Sequence, residues 1–255
     1  MKNDELFEKA KALKLYGLIA HWDEINDAEY LPKLLLWEEQ ERARRSLERR
    51  LSSARIEKFK SISEFDWDWP KTCDRQVIEE LMQLGFIPEA TNIILCGPNS
   101  VGKSMIACNI SHHAVINGFS VLFTTASEML NDLAAQDGDH ALKRKIKFYA
   151  RSDLLTIDEV GYLSYSNRHA DLLFQIISRR YRKKPTMITT NKPFSEWGEI
   201  FPNASCVVSM IDRLIHHSEI INIDGESFRL KESKEKATLR KSSREKNKSN
   251  KDVVT

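Results

Sequence analysis

The sequence predicts an α/β fold: a P-loop core with a mostly parallel sheet flanked by helices, preceded by a small all-α N-terminal domain. Three observations predict it. Short apolar runs alternate with helical stretches between residues 91 and 230, a pattern that goes with a parallel sheet covered on both faces. The loop Gly97-Pro-Asn-Ser-Val-Gly102-Lys103-Ser104 follows the first of those runs and opens a helix. Residues 1–60 have helical periodicity, with Gly17 and Pro32 as their only glycine and proline.

Within 1–60, Leu6, Ala10, Leu13 and Gly17 recur at helical spacing. A second stripe begins at Leu34, Leu35 and Trp37 and continues through Ala43, Leu47, Leu51 and Ala54. Residues 61–90 read as a connector, with the aromatic run Phe65-Asp-Trp-Asp-Trp-Pro70 and a short helix near 74–84. Trp67 and Trp69 are expected to dock this connector on the core. Residues 91–230 are expected to form the core domain that carries the phosphate-binding loop. Strands are expected at Ile93–Cys96, Val121–Thr124, Leu154–Asp158, Thr186–Thr190 and Ile220–Ile223. Helices are expected near 103–117, 127–136, 140–150, 168–184 and 206–217. Residues 231–255 hold nine Lys or Arg and no apolar period, and are expected to be a disordered basic tail.

The chain has 255 residues, 41% of them hydrophobic, and a net charge of +2, which suits one core domain with smaller appendages. Cys73, Cys96, Cys108 and Cys206 form no CxxC pair and stand beside no histidine cluster, so unpaired reduced thiols are expected. The opening MKNDELFEKAKA lacks an apolar signal core, and no run approaches the ~20 apolar residues of a membrane helix, so the protein is expected in the cytoplasm.

The loop fits G-x-x-x-x-G-K-[ST] at every fixed position. Its glycines let backbone N–H groups turn inward toward phosphate oxygens. Lys103 reaches the β- and γ-phosphates, Ser104 offers a hydroxyl to Mg²⁺, and the following helix presents its positive end. ATP with Mg²⁺ is therefore the expected ligand. The nucleotide-binding set is Gly97, Pro98, Asn99, Ser100, Val101, Gly102, Lys103, Ser104 and Met105, joined by Asp158, and the metal falls to Ser104 and Asp158. The apolar run Leu154-Leu-Thr-Ile ends in Asp158 and Glu159. The first acid can hold the magnesium shell, and the second can orient or deprotonate an attacking water. A small-molecule kinase has no need of that second acid, which counts against a kinase. Asn191, after Thr189 and Thr190, can bond the same water or the γ-phosphate, although Asn191-Lys-Pro193 also reads as a turn. Arg213 reads either as an arginine finger aimed at a neighbouring subunit or as a structural arginine.

Several stretches resemble one family. They are Leu34-Leu-Leu-Trp-Glu-Glu-Gln-Glu-Arg42-Ala-Arg-Arg, Asn92-Ile-Ile-Leu-Cys-Gly-Pro98, Leu154-Leu-Thr-Ile-Asp-Glu-Val-Gly-Tyr162, Thr189-Thr-Asn-Lys-Pro-Phe-Ser-Glu-Trp197, Asp212-Arg-Leu-Ile-His-His-Ser218 and Gly225-Glu-Ser-Phe-Arg229. Together they resemble, over residues 6–230, the IstB-type AAA+ ATPases, helpers of insertion-sequence transposition related to the helicase loader DnaC. The resemblance implies an AAA+ core and a DNA-stimulated ATPase. It implies a homo-oligomer with ATP at subunit interfaces, bound to double-stranded DNA with little sequence preference and working with a partner transposase. It favours Arg213 as the finger and makes Arg229 a weaker candidate for a second ATP-sensing arginine. Ser100 stands where the family usually has glycine, and Phe228 where tyrosine is common.

Residues 42–60 hold eight Lys or Arg against Glu48 and Glu57, and Arg42, Arg45 and Arg49 share one helix face. With Arg44, Arg50 and Arg55 they are the candidate DNA contacts, since a basic exposed face suits a phosphate backbone. A helicase loader, whose N-terminal region grips a protein partner, is the rival reading; a neighbouring transposase gene would discriminate the two.

Overall fold

The computed structural model describes residues 3–57, 59–162, 165–202, 205–233 and 236. It divides into two compact units, 1–53 and 54–255. Residues 54–60, assigned to the N-terminal domain from the sequence, thus group with the core, as does the connector.

The first unit is helical: α1 (Asn3–Ala12), α2 (Tyr16–Ala20), α3 (Trp22–Ile25) and the long α4 (Leu31–Ala54), which ends one residue into the second unit. Leu6 and Ala10 of α1 bury against Leu31 and Leu35 of α4, with Leu18, Trp22 and Ile25 packed around them. The expected first stripe stops short of Gly17 because Lys14 takes a left-handed φ of 53° and breaks the helix. The expected second stripe is corrected as well. Of its members Leu35 and Ala54 are buried, but Leu34, Trp37 and Leu51 are exposed, and Leu31, outside the expected stripe, shares the burial with Leu35. Four apolar positions at helical spacing say only that a face exists; which face is covered depends on where the short helices return.

In the second unit the strands are β1 (Asn92–Cys96), β2 (Val121–Thr125), β3 (Leu154–Val160), β4 (Thr186–Thr190) and β5 (Ser218–Asn222). They form one sheet in the order β2-β3-β4-β1-β5, and all four pairings are parallel. Helices connect them: α5 (Arg75–Leu81) ahead of the sheet, then α6 (Lys103–Ile116), α7 (Ala126–Ala134), α8 (Asp139–Ala150), α9 (Asn167–Arg180), α10 (Trp197–Ile200) and α11 (Val207–Ile215). The inner strands are apolar runs because both faces are covered: Ile93, Ile94 and Leu95 of β1 are fully buried, as are Leu154, Leu155 and Ile157 of β3, while the edge strand β5 is largely exposed. The chain crosses from β1 to β2 at the sheet edge and returns through β3 and β4, which opens a crevice at the carboxyl ends of the strands beside β1. Among the described residues no helix is long and apolar enough to cross a membrane. All four cysteines are free.

The connector is docked by its aromatics. Trp69 donates through Nε1 to the carbonyl of Glu226 at 2.9 Å and the Phe65 ring abuts Gly102, whereas Trp67, expected to dock as well, meets Phe65 and Arg75 within the connector itself. Residues 228–233 are helical, so 231–233 continue that helix rather than start a tail. The remainder of the expected disordered tail, residue 236 aside, lies outside the described residues.

At the opposite end of the sheet, the buried guanidinium of Arg180 is hydrogen-bonded to no carboxylate among the described residues. It donates to the carbonyls of Ala150, Ser152, Asp153 and Pro185 and to Thr186 Oγ1, closing the amino ends of β3 and β4. Burial draws its pKa well below the usual arginine range. Arg180→Met leaves those carbonyls buried without donors and is expected to cost about 3 kcal/mol. In a thermal melt that is a fall of roughly 6–12 °C. A drop under 2 °C would mean that water replaces the guanidinium.

Candidate active site

The loop after β1 owes its path to two glycines. A Cβ on Gly97 would lie 2.0 Å from the carbonyl oxygen of Ile223, and one on Gly102, at φ 101°, would lie 2.3 Å from the Phe65 ring. Neither site has room for a side chain. Ser100 also sits at a left-handed φ, 64°, and its carbonyl accepts from the N–H of Phe228 at 3.0 Å. That conformation gives a physical reason for glycine at this position, and serine tolerates it at a cost of about 1–2 kcal/mol.

α6 begins at Lys103, whose ammonium is buried and folds back to the carbonyls of Gly97 and Pro98 at 2.7 and 2.6 Å. Burial lowers its pKa, partly offset by the thiol of Cys96 and by Asp158 and Glu159. The charge is held without a bonded carboxylate, which leaves it short of anionic partners.

The acidic pair does not end its strand as the sequence suggested. β3 runs on to Val160, and its register with β4 shifts between Ile157 and Val160, so one extra residue bulges out at Asp158-Glu159. Glu159 takes a left-handed φ of 63°. In a regular strand these neighbours would face opposite sides of the sheet. The bulge instead leaves Asp158 buried and Glu159 exposed at the same strand end. Asp158 Oδ1 accepts from Ser104 Oγ at 3.0 Å and from Thr189 Oγ1. Thr189 Oγ1 in turn accepts from the N–H of Glu159 at 2.9 Å. Thr189 thus pins both acids, a role the sequence reading missed, because it requires knowing which β4 residue lies opposite the bulge.

Around this set lies a cavity of about 1160 Å³. Its walls include the loop from Asn99 to Met105, Asp158, Glu159, the connector rings Phe65 and Trp69, and Phe228 and Arg229. Of the predicted binding set, only Gly97 and Pro98 do not line it, and they form its edge through the bonds to Lys103. Burial pushes the Cys108 thiol up to about 12, so this wall residue is a neutral one. A hydroxyl and a carboxylate 3.0 Å apart, beside an under-neutralised ammonium, form a donor set that fits a magnesium-bound triphosphate.

The other predicted residues fall elsewhere. Asn191 follows β4, and its Oδ1 is buried without a partner. Arg213 is not at the cavity. Its guanidinium lies 4.6 Å from the Phe174 ring and donates to Ser178 Oγ, both on α9. On α4, Arg42 pairs with Glu38, Arg44 with Glu41 and Glu48, and Arg45 with Glu41. The basic face read from the sequence is therefore partly neutralised by acids at helical spacing on the same helix. Arg44 and Arg45 together draw the Glu41 carboxyl down to about 2. Arg50 donates to Ser46 at 2.7 Å. Arg55 lies in the second unit, beside α8.

The sequence model of the family described as "IstB-like ATP binding protein" matches residues 2–236. Two curated relatives are similar over most of their lengths. The protein named as the ATP-binding protein of insertion sequence IS5376, from Geobacillus stearothermophilus, is 37% identical over 82% of this chain and 84% of its own. That of insertion sequence IS21, from Pseudomonas aeruginosa, is 36% identical over 86% and 82%. Among solved structures, DnaI superposes with a TM-score of 0.53 at 18% identity, over 66% of this chain and 89% of that one. The replication initiator DnaA bound to AMPPCP and single-stranded DNA superposes at 0.52 and 17%, over 69% and 56%. At these identities the likeness is one of fold.

Proposed function

Because the chain belongs to the family of IstB-like ATP-binding proteins, we propose that it is an ATP-hydrolysing regulator of transposition that assembles on double-stranded DNA and recruits or stimulates a partner transposase. The observation that carries this reading is the gathering of Lys103, Glu159 and the hydrogen-bonded pair Ser104–Asp158 on the wall of one cavity that the same chain's Arg213 does not line. Lys103 neutralises the β- and γ-phosphates, and Ser104 with Asp158 holds Mg²⁺. The metal, when bound, draws charge from the phosphate oxygens. Glu159 accepts a proton from the attacking water, and Arg229 contacts the nucleotide from the cavity wall; Asn191, which does not line the cavity, would have to turn toward it to orient that water. Arg213 then serves the cavity of a neighbouring protomer, which makes a homo-oligomer the active species. DNA phosphates fall to the arginines of α4 and to Arg55, and because phosphate contacts position without reading bases, sequence preference is weak. The second reading remains a helicase loader, which would share this core and whose partner is a helicase rather than a transposase.

The test uses turnover with duplex DNA present. Arg213→Ala and Glu159→Gln are each expected to be nearly inactive. Mixed, they create interfaces that pair an intact Glu159 with a neighbour's intact Arg213, and activity is expected to return in part. If mixed oligomers form and no activity returns, Arg213 is not a finger acting across the interface. Duplex DNA that does not raise wild-type turnover would count against assembly on DNA.

A further inference from the structure

α8 carries a cationic surface that the sequence reading passed over. Residues 139–151 contain Lys143, Arg144, Lys145, Lys147 and Arg151 against a single acid, Asp139, in the first turn. Ile146 and Tyr149 are buried, and Leu142 and Phe148 pack partly into the core, so the helix has one fixed orientation. Lys145 is turned inward, where with Tyr149 it donates to Asp132 at 2.8 and 2.7 Å. Lys143, Arg144 and Lys147 are exposed and have no carboxylate or hydrogen-bond partner among the described residues. Lys143, Lys147 and Arg151 follow at one-turn intervals, so together they span about 12 Å of one face.

Further cations border this face. Arg55, Lys145 and Arg151 surround the Phe148 ring, at 5.4, 5.8 and 5.1 Å from its centre. Lys184 donates to the Arg151 carbonyl and to Asp153, which brings the turn with exposed Arg182 and Lys183 against the end of α8. The contrast with α4 is one of neutralisation. A phosphate arriving at Arg42, Arg44 or Arg45 must displace a bonded glutamate, whereas one arriving at Lys143, Arg144 or Lys147 displaces only counterions.

We propose that the outer face of α8, with Arg55 and Arg151 at its margin, is a binding surface for the phosphate backbone of duplex DNA on the ATPase core itself. Charge complementarity identifies the occupant. A row of free cations on a rigid helix suits a regular polyanion, and the face offers no amide side chain to read a base edge. Phe148 is half-buried beneath three cations, so it supports those cations rather than stacking on bases. The inference rests on the reading that the protein binds duplex DNA and assigns that binding a second surface, on which Arg55 joins residues of α8.

The experiment is a salt titration of duplex binding, with ATP present, on two unrelated sequences. It compares the full-length wild type, the triple variant Lys143→Ala, Arg144→Ala and Lys147→Ala, and the charge-keeping triple Lys143→Arg, Arg144→Lys and Lys147→Arg. None of the three side chains has a partner to lose, so the melting temperature should stay within a degree or two. The log–log slope of the alanine triple is expected to flatten by about two to three units per protomer engaged, at roughly 0.9 per phosphate, equally on both sequences. The charge-keeping triple should keep the wild-type slope. A steep wild-type slope left unchanged in the alanine triple overturns the α8 surface and leaves the DNA reading standing. A loss confined to one sequence, or seen also in the charge-keeping triple, overturns a phosphate contact. Wild type that does not bind duplex overturns both readings.

Discussion

Glu159→Gln is expected to bind ATP with near wild-type affinity and to hydrolyse it some 10²–10⁴-fold more slowly, the range for loss of a general base. The residue is exposed at the cavity; its backbone N–H donates to Thr189, and its carboxylate has no hydrogen-bond or ion-pair partner among the described residues. Its carboxylate is thus unengaged and positioned by the bulge, as a group must be to take a proton from water. Glutamine keeps the shape and the strained backbone but accepts protons far more weakly, so turnover falls while ground-state binding persists. Single-turnover hydrolysis beside equilibrium binding of an ATP analogue separates the two effects. A variant that turns over within a few fold of wild type would remove Glu159 from the chemistry, and one that no longer binds would make it a structural residue.

Lys103→Ala is expected to weaken ATP binding by about 100-fold or more, in line with the roughly 2–5 kcal/mol lost when one partner of a buried charge pair is removed. The ammonium leans on two loop carbonyls, and no carboxylate among the described residues is bonded to it. A triphosphate supplies the counter-charge that the buried group lacks, and alanine leaves that phosphate facing only backbone N–H groups. Because burial lowers the pKa of this lysine, the free protein loses the ammonium at lower pH than an ordinary lysine would. ATP affinity should therefore decline on the alkaline side before the usual lysine range is reached, and that decline should be absent from the alanine variant. Calorimetric titration across pH reads both effects, and affinity within fivefold of wild type would sink the role.

The elements that could be read from the chain are those whose causes are local. The strand at Ile93–Cys96 is apolar because both its faces are covered, and a doubly covered strand shows that in its own residues. The phosphate loop is equally legible, since eight consecutive positions hold both the backbone freedom and the cation that the chemistry needs. The Asp158–Glu159 pair could be found in the sequence, but its geometry could not. The bulge that brings both acids to one strand end depends on pairing with β4, thirty residues on, and on a threonine hydroxyl whose position only that register fixes.

The same division holds for the charges. The sequence by itself determined that this is a P-loop protein with an α/β core and a helical leader, because periodicity and a contiguous motif are properties of neighbours along the chain. It also holds the partners of three of the arginines of 42–55, since Glu38, Glu41 and Glu48 stand three or four residues from them. Arg42, Arg44 and Arg45 turn out to be held by glutamates on their own helix, while Arg55 leaves that helix and lies beside Phe148 of α8. Arg213, two residues from the end of α11, rests on α9 outside the cavity of its own chain, a placement that no spacing rule contains. Only the tertiary structure decided where Arg55 and Arg213 lie and which apolar face of α4 is covered, because these depend on what long-range packing brings within a few ångströms.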